Sequence, residues 1–200
     1  MSNFPIQNKR TTDHAINSVF TDRWSPRSLS HEAITEEELL ILLEAARWAP
    51  SSFNAQPWRF AYALRGDALF QPLVDSMAPV NQLWAPKAAA LVAIASFNLC
   101  IPPGATAPIS NGSHAFDAGA AWANMALQAT FSGWCVHAMG GIDFAKASAA
   151  IGLPAEHQLH ALIAIGKRGD PSVLPDALRE RELPNSRKPI RELAVRGKFL

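Results

Sequence analysis

The chain has 200 residues and a mass of 21.6 kDa, a length for one domain that buries roughly 70% of the surface its unfolded form exposes. A formal net charge of +1 leaves no broad basic field for a nucleic-acid backbone, and a 48% apolar content excludes disorder. The charged share, 18%, is below the roughly 25% usual in globular proteins, thin cover for a lone globule and a first sign of surface buried against another subunit.

Met1 to Arg10 is polar, lacks the apolar run of a signal peptide and reads as a flexible terminus. Asp13 to Phe20 reads as a short helix with Ile16, Val19 and Phe20 on one face, broken by Asp22-Arg23-Trp24-Ser25-Pro26-Arg27. Thr35 followed by Glu38 has the spacing of a capping box. The stripe Leu39, Leu40, Leu42, Leu43 and Ala46 then predicts a helix that Pro50 ends. After the loop Pro50 to Pro57, Trp58 to Leu64 reads as a strand, and Gly66-Asp67 opens a helix to about Met77. Lys87 to Ala95 is a continuous apolar run, the pattern of a buried strand.

Asn98 to Ser113, rich in Pro and Gly, reads as a flexible connection. His114 to Phe131 predicts a second strong helix, Ala-rich and therefore closely packed, ended by Gly133. Trp134 to Met139 follows as a short strand, Gly140-Gly141 as a turn, Asp143 to Ile151 as a helix capped by Asp143, and Gln158 to Ile165 as a strand. From Gly166 onward the chain reads as a Pro-spaced tail. Helices and strands interleave without a repeat or a shift in composition, which predicts a single domain over residues 1–200 of the α+β or α/β class. The longest apolar stretch, Ala88 to Phe97, is too short to span a bilayer. Cys100 and Cys135 are too few and too far apart for a zinc motif or a disulfide scaffold. The expected setting is cytoplasmic and reduced.

Familiar catalytic and phosphate motifs are missing: there is no G-x-S-x-G elbow, no G-x-G-x-x-G turn and no P-loop spacing. His157 and His160 would face opposite sides of a strand, so no metal role is assigned. His14, His31, His114 and His137 are scattered and read as surface or satisfied core residues. Glu36-Glu37-Glu38 favours a helix dipole and needs no catalytic explanation.

Three separated segments carry polar groups that local structure does not demand. Arg23-Trp24-Ser25-Pro26-Arg27 puts two guanidinium groups and a hydroxyl on a short break, and guanidinium forks match phosphate oxygens. Pro50-Ser51-Ser52-Phe53-Asn54-Ala55-Gln56-Pro57-Trp58 pins hydroxyls and two side-chain amides between prolines, and amides suit the edge of a heteroaromatic ring. Pro184-Asn185-Ser186-Arg187-Lys188-Pro189 is a second rigid basic segment. Each alone is compatible with an ordinary turn or solvated tail.

Together, in this order and spacing, the segments resemble the FMN-dependent nitroreductase family from about Asp13 to Val195, most specifically in Ala45-Ala46-Arg47-Trp48-Ala49-Pro50-Ser51-Ser52-Phe53-Asn54-Ala55-Gln56-Pro57-Trp58. The resemblance implies an α+β, three-layer α/β/α fold with a mostly antiparallel sheet and an intertwined homodimer carrying two FMN sites at its interface. Arg23, Trp24, Ser25 and Arg187 would lie at the phosphate and ribityl end, and Arg27 near flavin N1 and O2. Pro50, Ser51, Ser52, Asn54 and Gln56 would come from the other subunit. Met139, Gly140 and Gly141 would lie near N5 and O4, and Asn81 near the pyrimidine edge. Asn185 stands where the family often has Lys, and Gly140 where many members carry an acid. The activity implied is ping-pong hydride transfer from NADH or NADPH to nitroaromatics, quinones or similar acceptors, with no protein acid or base and no metal. A specialised offshoot (flavin fragmentation, dehalogenation or ring oxidation) and a non-catalytic FMN scaffold stay open, and Asn98 to Ser113 stands where the family's lid arises.

Overall fold

The computed structural model describes residues 8–198. Its main sheet has four strands, β1 (Trp58–Leu64), β2 (Ala90–Phe97), β5 (Cys135–Met139) and β6 (His157–Gly166), in the order β1-β2-β6-β5 with every neighbouring pair antiparallel. Between β2 and β5 the chain forms a ribbon, β3 (Leu99–Cys100) with β4 (Ile109–Ser110), inside the segment expected to be a plain connection. The ribbon is closed by Asn111 N–H donating to the Asn98 carbonyl at 2.8 Å.

Helices cover both faces of the main sheet. On one face α2 (Glu36–Arg47) and α5 (His114–Phe131) pack Leu39, Leu42, Ala118, Ala121 and Met125 against Val92, Ile94, Ile163 and Ile165. On the other, α3 (Phe70–Asp75), α6 (Phe144–Ala150) and the later chain pack Leu73, Ala147, Leu174 and Leu178 against Leu91, Ala93, Leu162 and Ala164. Residues 90–95 alternate between these two cores with the period of a strand. Because both faces are covered, β2 needs no polar side, and this explains its unbroken apolar run. The α+β, helix–sheet–helix expectation is met.

The two long helices follow their sequence signals closely. Thr35 and Glu38 form a reciprocal capping box at the start of α2, and α5 spans the expected residues. Its alanines allow close approach: Ala118, Ala121, Ala126 and Ala129 are all buried. Asp143 caps α6 by accepting from Lys146 N–H at 3.0 Å.

Other expectations need correction. The first helix, α1, covers only Val19–Asp22 instead of Asp13 to Phe20, with Asn17 Oδ1 accepting from the Val19 amide. The helix expected from Gly66 to Met77 is confined to α3, and α4 (Pro79–Gln82) follows as a separate turn. The second strand begins at Ala90, because Ala85–Lys87 is a 3-10 turn.

The tail beyond Gly166 is built into the fold. Leu29 bridges Arg168, Leu174 and Leu178 are buried, and α7 (Asp176–Arg179) and α8 (Ile190–Leu193) punctuate it. The flexible start expected over residues 1–10 lies, up to residue 7, outside the described residues. Arg10, at its end, is pinned by three hydrogen bonds to carbonyls of Thr21, Arg23 and Asn185.

A bulge opposite Ile94 and Ala95 leaves His160 as the extra residue of β6. His160 Nε2 and His114 Nδ1 share the buried Ser96 hydroxyl at 2.6 and 2.7 Å. Two histidines far apart in sequence are thus joined through one serine hydroxyl. No helix among the described residues is long and apolar enough to cross a membrane.

Candidate functional site

The first and third segments meet. Arg23, Trp24, Ser25 and Arg27 line one cleft with Arg187, Arg10 and His137. The cleft holds about 430 Å³, within the roughly 300–1,000 Å³ typical of small-molecule sites. Residues 23–28 are tied to β5 by the Pro26 carbonyl, 3.0 Å from His137 Nδ1, and to the later chain by Glu182, which accepts from the Arg27 and Ser28 amides.

The arginines are placed by specific contacts. Arg10 ties residues 21–23 to residue 185, its Nη1 donating to the Arg23 carbonyl at 2.7 Å and its Nε to the Asn185 carbonyl at 2.7 Å. The acceptor at Asn185 is its backbone carbonyl, so this anchor does not depend on the side chain there. Arg23 Nη1 donates to Ser25 Oγ at 3.4 Å.

Glu182 organises the segment that carries Arg27. Its Oε1 accepts from the amides of Arg27 and Ser28 at 2.8 and 2.7 Å and from the Ser28 hydroxyl at 2.7 Å. Its other oxygen lies 3.8 Å from Arg27 Nη1.

The cleft carries an excess of like charge. Burial holds the Arg10 guanidinium below its usual range, and the charges of Arg187 and Arg23 lower it further. Arg23 is lowered in the same way, by burial and then by Arg187. Cations held together at a cost in mutual repulsion fit a bound anion, and the guanidinium-plus-hydroxyl donor set fits a phosphate. The residues present therefore suit the phosphate end of FMN.

The glycine turn lies farther along the same edge strand. His137 lines the cleft, and Gly140 follows three residues later, about 10 Å along an extended chain. Asn81 is brought to this turn: its Nδ2 donates to the Gly141 carbonyl at 3.0 Å, as does the Ala78 amide at 2.9 Å. A Cβ at Gly141 would stand 3.2 Å from Asn81 Nδ2, so the glycine permits the close approach. The Met139 side chain is buried in the core against α3 and α6, which leaves its backbone to face a ligand.

The second segment lies elsewhere. Pro50 to Gln56 leads into β1, the opposite edge of the sheet from β5, about 14 Å away across three strand spacings. Phe53, Asn54 and Gln56 all have positive φ, at 53°, 52° and 47°. Three such non-glycine residues in one loop are costly, and strain of this kind clusters at functional segments. The loop is held from α5: buried Asp117 accepts from the Ser52 amide at 3.2 Å, and Ser51 Oγ accepts from the Gln56 amide at 3.0 Å. Large aromatic side chains flank it in solvent, with Trp48 72%, Phe53 61% and Phe116 83% exposed.

Four of these groups escape a reading by motif. Arg10 sits in a polar stretch that looks like a loose end, and Glu182 in an apparent tail. His137 is an isolated histidine, and Asp117 passes for a first-turn acid. Only a lone acid amid alanines at Asp117 gives any signal in the chain.

Comparison with known proteins bears on the fold as a whole. The model of the Nitroreductase family matches residues 20–167. A solved oxidoreductase containing FMN is 37% identical, with a TM-score of 0.92 over 98% of this chain and 99% of its own. A nitroreductase family protein from Streptococcus pneumoniae shares the fold at 16% identity, with a TM-score of 0.71 over 90% and 98% of the two chains. The major NAD(P)H-flavin oxidoreductase of Aliivibrio fischeri is 43% identical over 49 residues, 24% of this chain and 22% of that protein. An uncharacterised 15.4 kDa protein of Mycolicibacterium smegmatis is 34% identical over 86 residues, 42% of this chain and 58% of its own length. With the family model spanning the sheet, both helical layers and the first arginine segment, the chain belongs to the nitroreductase family.

Proposed function

We propose that the protein is an FMN-dependent oxidoreductase that uses NADH or NADPH to reduce nitroaromatic, quinone or similar small acceptors. The observation that carries this reading is the convergence of Arg10, Arg23, Arg27 and Arg187 with Ser25 on one cleft, in a chain whose structural relative contains FMN. Arg10, Arg23, Ser25 and Arg187 would hold the phosphate, with Trp24 beside them. Arg27, braced by Glu182, offers positive charge to the pyrimidine side, where a reduced flavin is anionic. Asn81, Gly140, Gly141 and the Met139 backbone are the groups that would border the ring.

FMN held there would supply the redox chemistry, a ping-pong hydride transfer between a nicotinamide and a second substrate. The chain supplies position, charge and exclusion of water. No side chain is assigned as an acid or base.

The site is completed by a second copy of the chain. Pro50, Ser51, Ser52, Asn54 and Gln56 lie at the far edge of the sheet from the arginine cleft, so a homodimer is the arrangement that lets them serve an FMN. The exposed Trp48, Phe53 and Phe116 around the strained loop support the same arrangement.

The test is anaerobic stopped-flow mixing of the FMN-loaded protein with NADH and with NADPH. Loss of the flavin absorbance near its visible maximum, followed by recovery on adding a quinone or nitroarene, is the expected result. A protein that holds FMN but does not bleach with either nucleotide is a scaffold, and the enzymatic reading then fails.

A further inference from the structure

His137 stands on β5 at the cleft, outside every motif that marks the site, and its environment defines which nitrogen is free. Nδ1 lies 3.0 Å from the Pro26 carbonyl oxygen. A carbonyl only accepts, so Nδ1 carries the hydrogen and the neutral ring keeps its lone pair on Nε2. The ring is held against fully buried Trp84, with centroids 4.7 Å apart. Among the described residues Nε2 has no hydrogen-bond partner, yet it is not one of the sealed, unpartnered atoms of the interior. It is open to whatever occupies the cleft.

Such a group is unusual where it stands. The cleft is dominated by guanidinium groups, which only donate; of its side-chain acceptors, Ser25 Oγ faces Arg23, and Glu180 and Asn185 are exposed. An anion satisfies the donors but leaves an acceptor such as Nε2 idle.

We propose that His137 is a ligand-binding residue of this cleft, its Nε2 accepting a hydrogen bond from an uncharged donor of FMN, either a ribityl hydroxyl or the imide N–H. The inference rests on the reading of the cleft as an FMN site. Burial holds the His137 imidazole below its ordinary range; the Pro26 hydrogen bond opposes it, as does Glu182, while the charges of Arg27 and Arg23 add to the lowering. The ring is therefore neutral at pH 7 and the lone pair available. Asparagine preserves a donor toward Pro26 and lacks the second nitrogen, so His137→Asn separates the anchor from the acceptor.

The experiment titrates the unaltered protein and His137→Asn with FMN, riboflavin, lumiflavin and inorganic phosphate. The variant is expected to bind FMN and riboflavin about tenfold more weakly, the scale of one hydrogen bond, with inorganic phosphate unchanged. An equal loss with lumiflavin, which lacks the ribityl chain, assigns the imide; no loss with lumiflavin assigns a hydroxyl. FMN affinity within twofold of the unaltered protein, or an equal loss for inorganic phosphate, overturns the proposal. A measurement without substitution stands beside it: the His137 ¹⁵Nε2 resonance moves on adding FMN and stays in place with inorganic phosphate, and an unmoved resonance with FMN bound overturns it equally. If the unaltered protein binds no FMN, the functional reading and this inference both fall; if it binds FMN and only the His137 effects are missing, this inference alone does.

Discussion

Glu182 offers the sharpest test of how the cleft is held together. One of its oxygens accepts three hydrogen bonds, from the amides of Arg27 and Ser28 and the Ser28 hydroxyl. Both Glu182 and Ser28 are buried, at 5% and 1% exposure. Glu182→Ala removes the acceptor from all three donors and leaves Ser28 without access to water. At about 1–3 kcal/mol for each stranded buried donor, with the Arg27 amide closer to solvent, the expected loss is about 3–5 kcal/mol. That is a large part of the stability of a domain this size and corresponds to a melting temperature lower by roughly 10 °C or more. Glu182→Gln keeps an oxygen for the same donors and gives up only their charge-assisted strength and the ion pair to Arg27, at a cost of about 1–2 kcal/mol. It also removes a negative charge 3.8 Å from Arg27, so inorganic phosphate should bind the glutamine variant more tightly. Urea unfolding and phosphate titration of both variants measure these effects. Equal destabilisation by alanine and glutamine, or a loss below about 1 kcal/mol for alanine, would refute the role given to the shared oxygen.

Three further outcomes follow from other contacts. Gly169→Ala should destabilise the fold by about 2 kcal/mol or more, because its Cβ would stand 2.8 Å from the Leu29 and Ser30 backbone; a urea midpoint at the unaltered value would contradict that packing. Asp117→Ala should speed amide exchange at Ser52 and across the strained loop, since the Ser52 amide loses its acceptor, and should weaken FMN binding with little change in phosphate binding. Acid should destabilise the protein well before the carboxylates titrate. His137 and His160 are both held, chiefly by burial, below the ordinary value of 6.5, so below that pH the unfolded chain binds more protons than the folded one. Stability should therefore be constant from about pH 8 to 7 and fall as pH drops below 6.5 towards the lowered folded values. A urea midpoint that does not change between pH 7.5 and 5 would remove this account.

The sequence by itself determined the parts of this protein governed by neighbours along the chain. The capping box places the start of α2, the alanine spacing defines α5, and the doubly apolar run of β2 announces a strand covered on both faces. The three polar segments were legible for the same reason: each is a short, contiguous pattern that its own turn does not require. Local pattern was weaker where an element is held by distant contacts. The helix expected over Asp13 to Phe20 shortens to α1, and the apparent tail is instead tied down through Leu29, Leu174 and Glu182.

Only the tertiary structure decided how the site is assembled. Arg10 reaches Asn185 across 175 positions, Glu182 reaches Ser28 across 154, and His137 reaches Pro26 across 111. Contacts of that length leave no periodicity in the sequence, and a lone arginine, glutamate or histidine looks the same whether it is solvated or built into a cleft. The order of the strands made the further decision. By placing β1 and β5 at opposite edges of one sheet, it separates the loop of Pro50 to Gln56 from the arginines. The exposed Trp48, Phe53 and Phe116 around that loop are likewise a tertiary result, since nothing in their neighbours along the chain says that they stay in solvent.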